Sequence, residues 1–522
     1  MAEGGNKALI LILFSWLLLL GSIKTLQHLS FGTNACDLST QDYALASTLK
    51  GDFMADPFHQ FAFGQWHRED NRLSFIPGRV RGWQSHFAVH FTPVLVLLLP
   101  LYAVFPGPLL LIYLELIAIA LSAYFLYRIS ENTIPDRPYV HGAIVIVYLL
   151  FRQLMIATMH DFHFELFFPA FFLGAHYYLT AKKNYRLAIL FICLALLVKE
   201  DIGIYLFFYG LFVMVKLKER RYGAMVAGLS VVYTLIVFCW AVPFFRSAPG
   251  GGGYLFSEIY GKEGPLKIAF KIMTHPGILL QNIDLNAFLN VLFLNILLSL
   301  LFIPVFTSYA LLFLPILFIM LASKLPQMYT FGIHYSVPFL PFLFLALLYG
   351  LDNVRKRLSS LTSLKRRQLI MRTLIIALLL VNVANSSLWQ NVNPSRYKAL
   401  STRSSVMALI AKIPPQASVA AQSALIPHIP KRKNIDMLPL GMGHEYIIVH
   451  GGVNLWPYSR SEFDNLLHDL DLGDKYTCIE EKGEARLYRK ISIAAAAKSK
   501  DNPEALGFGK NLLNGGNHAR RQ

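Results

Sequence analysis

Long apolar runs separated by short polar gaps set the pattern of this 522-residue chain. Crossing the roughly 30 Å hydrocarbon core of a bilayer takes about 20 apolar residues in a helix. Runs near or at that length fall at approximately 8–24, 108–128, 140–158, 165–180, 187–199, 202–217, 223–243, 286–303, 305–322, 331–350 and 368–386. They predict an α-helical polytopic membrane protein with about 11 transmembrane helices. Two of the runs, near 187 and 202, are separated only by LLVKEDIG. They are expected either as short spans or as one hairpin broken below the surface. The segment FTPVLVLLLPLYAVFPG at 91–107 is short for a crossing and carries Pro100. It is expected to lie as an interfacial helix against the bilayer. The first run follows Lys7 and has no convincing small-residue cleavage site after it, so it reads as an uncleaved span.

The pattern changes after residue 386. Short alternating or β-branched runs between Pro and Gly turns, as in ASVAAQSALIPHI and HEYIIVHGG, predict strands. CIEEKGEARLYRKISI is expected as a hairpin. The predicted organisation is a transmembrane part, 1–386, with a first outer loop at 25–107 and a second at 244–285. A small extracytoplasmic α/β domain follows at 387–492, and 493–522 is expected to be a poorly ordered tail. GGGG at 250–253 is punctuation within the second loop.

Charge orients the pattern. The gaps KLKERR at 216–221 and AKKNYR at 181–186 are basic, and 351–372 carries seven Lys and Arg against Asp352. With the N-terminus cytoplasmic, all three gaps fall on the cytoplasmic side, as the positive-inside rule requires. The first loop, DFHFE, the KED turn, SKLPQMYTFGIHY and the C-terminal part then face outward. This distribution accounts for the net charge of +17 without nucleic acid. Composition agrees, since 55% of residues are hydrophobic and only 15% charged, whereas soluble domains carry about 25% charged. Of four cysteines, Cys193 and Cys239 sit in apolar runs, while Cys36 and Cys478 share the outer side and could pair.

The same orientation gathers the polar residues that could do chemistry. Asp37 and Asp42 follow the first span in CDLSTQDY, and His86 and His90 precede the interfacial helix. His160, Asp161, His163 and Glu165 form HDFHFE; Lys199, Glu200 and Asp201 form the KED turn; Lys324, His334 and Tyr335 lie in a later outer gap. Charges near hydrocarbon are costly unless paired, hydrated or bound to a ligand. Asp37 and Asp42 are the catalytic candidates, with Asp42 also suited to supporting Asp37. The candidates for substrate or donor-phosphate binding are His90, His160, Asp161, His163, Glu165, Lys199, Glu200, Asp201, His334 and Tyr335. An extended HDFHFE would set Asp161, His163 and Glu165 opposite Phe162 and Phe164, whereas a helix would pair Asp161 with Glu165. Either geometry could hold a divalent cation, Mg or Mn, through Asp161, His163 and Glu165. The competing role for these groups is a hydrogen-bonded anchor at the membrane edge. No nucleotide-binding glycine loop occurs. A coupled transporter would place polar residues near the midplane, and here they gather at one rim. The pattern favours an outward-facing enzyme using a lipid-borne substrate; the alternative is a transporter or a non-catalytic cell-envelope component.

CDLSTQDYAL, HFAVHFTPVLVLLLPLYAVFPGP, DFHFELFFPAFFLGAHYY, LALLVKEDIG and YSVPFLPFLFLALLYG, in that order, resemble the bacterial DUF2079 family of multi-pass membrane proteins over approximately 25–492. IPPQASVAAQSALIPHI resembles that family's outer segment. The family in turn resembles the GT-C glycosyltransferase superfamily, which takes sugars from polyprenyl phosphate. The resemblance implies a bacterial inner-membrane location and a GT-C-like fold whose first outer loop bears a catalytic acid. It also implies a polyprenyl-phosphate sugar donor and a glycan, lipid or protein acceptor. Asp37 would be the catalytic base or an acceptor-orienting group, and the DFHFE and KED groups would line the same cavity, binding the donor phosphate directly or through a cation. The Asp-Glu pair common after the first helix of several GT-C members is absent, because Leu38 follows Asp37.

Overall fold

A computed structural model describes residues 2–491, apart from 59, 64, 78–82, 246–269, 272–273, 276, 278–282, 322, 324–325 and 362. The glycine run 250–253, most of the expected second outer loop, Lys324 and the tail 493–522 lie outside the described residues. The first helix, Ala2–Leu29, shows why the chain needs lipid. Leu9, Trp16, Leu20 and Ile23 are buried against the protein, while Ile10, Leu11, Phe14 and Leu18 are exposed on the other side. A helix apolar on both faces is stable where its outward face meets hydrocarbon.

Among the described residues, five runs are long and apolar enough to cross a membrane: Gly5–Leu29, Pro108–Thr133, Arg220–Phe245, Val337–Ser360 and the run opening at Leu364. The pair Pro138–Leu150 and Arg152–Met159, bent by 48°, makes a sixth if counted as one span. Other apolar runs form shorter helices than their sequences suggest. Tyr185–Leu196 ends before the KED turn, and Ile202–Val215 begins after it. The run expected at 286–303 is interrupted where Leu301 and Phe302 take left-handed backbone at φ 53° and 56°. The segment expected to lie at the interface is an 11-residue helix, Val94–Val104. At 1.5 Å per residue it reaches only about 16 Å.

The C-terminal residues form a five-stranded sheet in the order Ile435–Met437, Val419–Ala421, Tyr446–His450, Ala485–Lys490, Tyr476–Lys482. The first three are parallel, and the last two join antiparallel as a hairpin. Helix Arg460–Leu472 opens with a capping box between Ser459 and Glu462 and buries Phe463, Leu466 and Leu470. Another part of the sheet packs into the first loop: Phe31, Tyr43, Phe58, Phe61 and Phe75 share one apolar core with Val406, Val419, Ile448 and Leu487. Polar ties reinforce this seam. Arg68 pairs with Glu462, Gln60 donates to Asp436 at 3.0 Å, and Lys431 meets Asp42 at 2.7 Å. All four cysteines are free, so the pairing considered for Cys36 and Cys478 is not formed. Cys36 instead packs 3.9 Å from the sulfur of Met437, and Cys478 is exposed.

Candidate functional site

The site is built around a break in a helix run. Arg152–Met159 stops, and Asp161 turns the chain in left-handed backbone at φ 48°, a region Asp tolerates better than most residues. His163 then extends at φ −135° and ψ 119° before a short turn over Phe164–Leu166. Phe162 and Phe164 are buried in the main apolar core. His163 and Glu165 join a polar cluster instead, so the chain follows the extended alternative through His163.

Two charges inside the apolar helices hold this turn. The Lys24 ammonium donates to the carbonyls of Thr158 at 2.7 Å and Asp161 at 2.5 Å. Glu115 Oε1 lies 3.9 Å from it, while Glu115 Oε2 accepts from the His163 backbone N–H at 3.1 Å. Both side chains are fully buried. The sequence reading passed over them, although a lone charge within a hydrophobic span is a signal in itself. Their contacts are positional: they fix the backbone that presents His160 and His163.

The predicted site residues divide into those that converge and those that do not. His160 Nδ1 is 2.8 Å from His163 Nε2 and 4.0 Å from Asp37 Oδ2. The rings of His163 and His334 stack with centroids 3.8 Å apart, and Tyr335 lies against His334 at 4.2 Å. His334 Nε2 is 3.7 Å from Glu165 Oε1, which Lys199 Nζ meets at 2.8 Å. Asp37, His160, His163, Glu165, Lys199, His334 and Tyr335 therefore share one niche. At its mouth the side chains of Asp37 and His160 are 30% and 35% exposed, whereas Glu165 at its floor is 3% exposed.

The remaining candidates serve the walls. Asp161 Oδ2 accepts from the Asn34 backbone N–H at 2.9 Å, tying the turn to the first loop. Glu200 takes His90 Nδ1 at 3.1 Å and the Phe91 N–H at 3.0 Å, which anchors the start of the short helix Val94–Val104. Asp201 accepts from Tyr205 at 3.1 Å. Asp42 is held by the Tyr102 hydroxyl and by Lys431 at 2.7 Å. His86 is buried with its ring 5.8 Å from that of Phe164.

The electrostatics suit proton and phosphate chemistry. Partial burial first, then the nearby carboxylates of Asp161 and Glu165, pushes the Asp37 carboxyl above the usual carboxylate range. At about 8 the carboxyl is mostly protonated at neutral pH, so any base chemistry at Asp37 is expected to strengthen as pH rises through that value. Burial first, then the charge of Lys24, lowers His160 to about 4, and burial holds His163 well down. Both imidazoles therefore offer neutral nitrogens. Lys199 is held by Glu165 at 2.8 Å and sets a positive charge inside the cluster.

Comparison with known proteins adds the chain's relationships. No curated protein matches it. Among solved structures it is similar to ArnT from Cupriavidus metallidurans bound to undecaprenyl phosphate, at 11% identity and a TM-score of 0.42, covering 95% of this chain and 99% of that one. It is similar also to ArnT from the same organism in the apo state, at 11% identity and a TM-score of 0.42, covering 92% and 98%. A likeness at this level transfers no residue roles. The family of predicted membrane proteins called DUF2079 matches residues 27–484. That match spans most of the chain, including every residue of the niche, and the protein belongs to the DUF2079 family.

Proposed function

We propose that the protein is a membrane glycosyltransferase that moves a sugar from a polyprenyl-phosphate donor to an acceptor hydroxyl on the extracytoplasmic side. In this reading the N-terminus is cytoplasmic, the shorter apolar helices complete about eleven crossings, and the niche and C-terminal sheet face outward. One observation carries the reading: a reachable carboxylate, Asp37, stands at the mouth of a niche whose floor holds a buried Lys199–Glu165 pair and two stacked imidazoles. The Asp37 carboxylate takes the proton of the acceptor hydroxyl as its oxygen bonds to the anomeric carbon. The bond from that carbon to the donor phosphate oxygen breaks, and the electron pair leaves with the lipid phosphate. Lys199, already aligned by Glu165, stabilises the negative charge gathering there. Gathering at one rim, rather than along a midplane path, supports transfer over transport.

Reconstitution with polyprenyl-phosphate sugars tests the reading. Asp37→Asn is expected to lower transfer by roughly 10²–10⁴-fold while leaving lipid-phosphate binding intact. Lys199→Gln is expected to weaken that binding. Undiminished transfer by Asp37→Asn removes Asp37 from the mechanism, and wild-type protein inert with every such donor overturns the function.

A further inference from the structure

Three histidines reach one point from two separate loops. His160 and His163 follow the Arg152–Met159 helix, and His334 precedes the Leu340–Leu361 helix. One ring nitrogen from each can be chosen so that all three lie within 4.8 Å of one another. The closest pair, His160 Nδ1 and His163 Nε2, is 2.8 Å apart. An ion held tetrahedrally by imidazoles at 2.0–2.1 Å sets its nitrogen donors roughly 3.3–3.4 Å apart. Reaching that spacing takes the closest pair apart by about half an ångström, brings the other donors in by up to about 1.4 Å, and unstacks the His163 and His334 rings.

Unmet polar atoms around the cluster point the same way. Among the described residues, His334 Nδ1 and Glu165 Oε2 are buried without a hydrogen-bond partner. Glu165 Oε2 lies 3.9 Å from His163 Nδ1, beyond hydrogen-bond distance, and a small shift of that ring would bring the two into contact. Lys199 already balances the Glu165 charge through Oε1, which leaves Oε2 with a hydrogen bond still to make. The opposite side of the cluster opens at His160 and Asp37.

We propose that His160, His163 and His334 bind a zinc-class divalent ion, with a fourth coordination position open toward Asp37. Imidazole nitrogens suit zinc and its neighbours, whereas magnesium and calcium take oxygen ligands. The set differs from the Asp161, His163 and Glu165 grouping suggested by sequence spacing. Asp161 spends one carboxylate oxygen on the Asn34 backbone, and Glu165 is engaged with Lys199. Only the occupant of the fourth position, an oxygen of the donor phosphate, rests on the transferase reading.

The test uses the full chain purified in detergent, stripped with a chelator, reloaded with zinc or with magnesium, and passed over a desalting column. Elemental analysis is expected to find about one zinc per chain and no retained magnesium. His334→Gln and His163→Gln, each checked for an unchanged melting transition, are expected to lower zinc affinity at least about tenfold. Cobalt loading of the wild-type chain reads the site without any variant, through the intense visible bands of a tetrahedral nitrogen-bound ion. Folded wild-type protein that retains no zinc, cobalt bands of an octahedral ion, or folded variants that keep full occupancy would overturn the proposal. Lipid-phosphate binding, measured on the same samples, separates the two readings: zinc retained without lipid binding sinks the transferase alone, and lipid binding without zinc sinks the metal site alone.

Discussion

At the residue scale, the niche depends on two buried charges that never touch its mouth. Lys24 and Glu115 reach the turn at residues 158–163 from two different helices, and each is fully buried. Removing one partner of a buried pair strands the other in a low dielectric, at a typical cost of about 3–5 kcal/mol. Lys24→Met is therefore expected to lower the melting temperature sharply and to raise hydrogen exchange at 158–163. The double variant Lys24→Met/Glu115→Gln should recover part of that loss, because no full charge is then left unpaired. A double variant no more stable than the single one would show that the two groups act independently. The niche residues themselves were legible in the sequence because DFHFE and KED put charges where apolar runs end. Their partners were not: Glu165 faces Lys199 across 34 residues, and Asp161 faces Asn34 across 127.

At the element scale, close helix packing sets where the KED turn sits. Helices Ile202–Val215 and Arg220–Ile236 approach through glycines. A Cβ on Gly210 would meet the Ala227 backbone nitrogen at 2.7 Å and the Gly223 carbonyl oxygen at 2.8 Å. Small residues are what allow such an approach in lipid, where packing and not hydrophobic burial drives association. Gly210→Leu is expected to pry the pair apart and destabilise the protein by at least about 1–3 kcal/mol, measured as a loss of melting temperature in detergent. Gly228 has open space for a Cβ, so Gly228→Ala should be tolerated and serves as the control. Equal effects from the two substitutions would refute the packing argument. Element positions were legible from hydropathy, but element lengths were not. An apolar run gives no warning that the backbone turns left-handed, as it does at Leu301 and Phe302.

At the scale of the whole molecule, the sheet and the first helix meet across a seam of histidines. The His28 and His428 rings lie 4.4 Å apart, Phe31 meets His428 edge-on at 4.7 Å, and Arg403 donates to the Leu29 carbonyl at 3.0 Å. Burial above all, then the charges of His28 and Arg403, holds His428 well below its ordinary value. The unfolded histidine titrates near about 6.5. Between that pH and the depressed folded value, the unfolded seam binds the extra proton and the folded seam does not. Stability from this group is thus present above about pH 6.5 and is lost as pH falls below it. Protection of 25–34 and 425–431, corrected for the intrinsic exchange rate, is expected to fall as pH drops from about 7.5 to about 5, and His428→Leu should flatten that loss. An unaltered loss of protection in the variant would assign the pH response to other groups.

The sequence by itself determined a membrane chain, its principal apolar helices, the hairpin near the C-terminus and the polar clusters at helix ends. Those properties follow from local hydropathy, turn residues and charge, which any short window contains. Tertiary structure alone decided which of those polar groups meet. It sent Asp42 to Tyr102 and Lys431, and Glu200 to His90, and it stacked His334 on His163. It also joined the first loop to the sheet through one core, so that Phe31 and Leu487 pack in the same cluster. The reason is distance along the chain: a side chain's partner is chosen by how helices and loops pack, and no periodicity records a contact between residues 163 and 334.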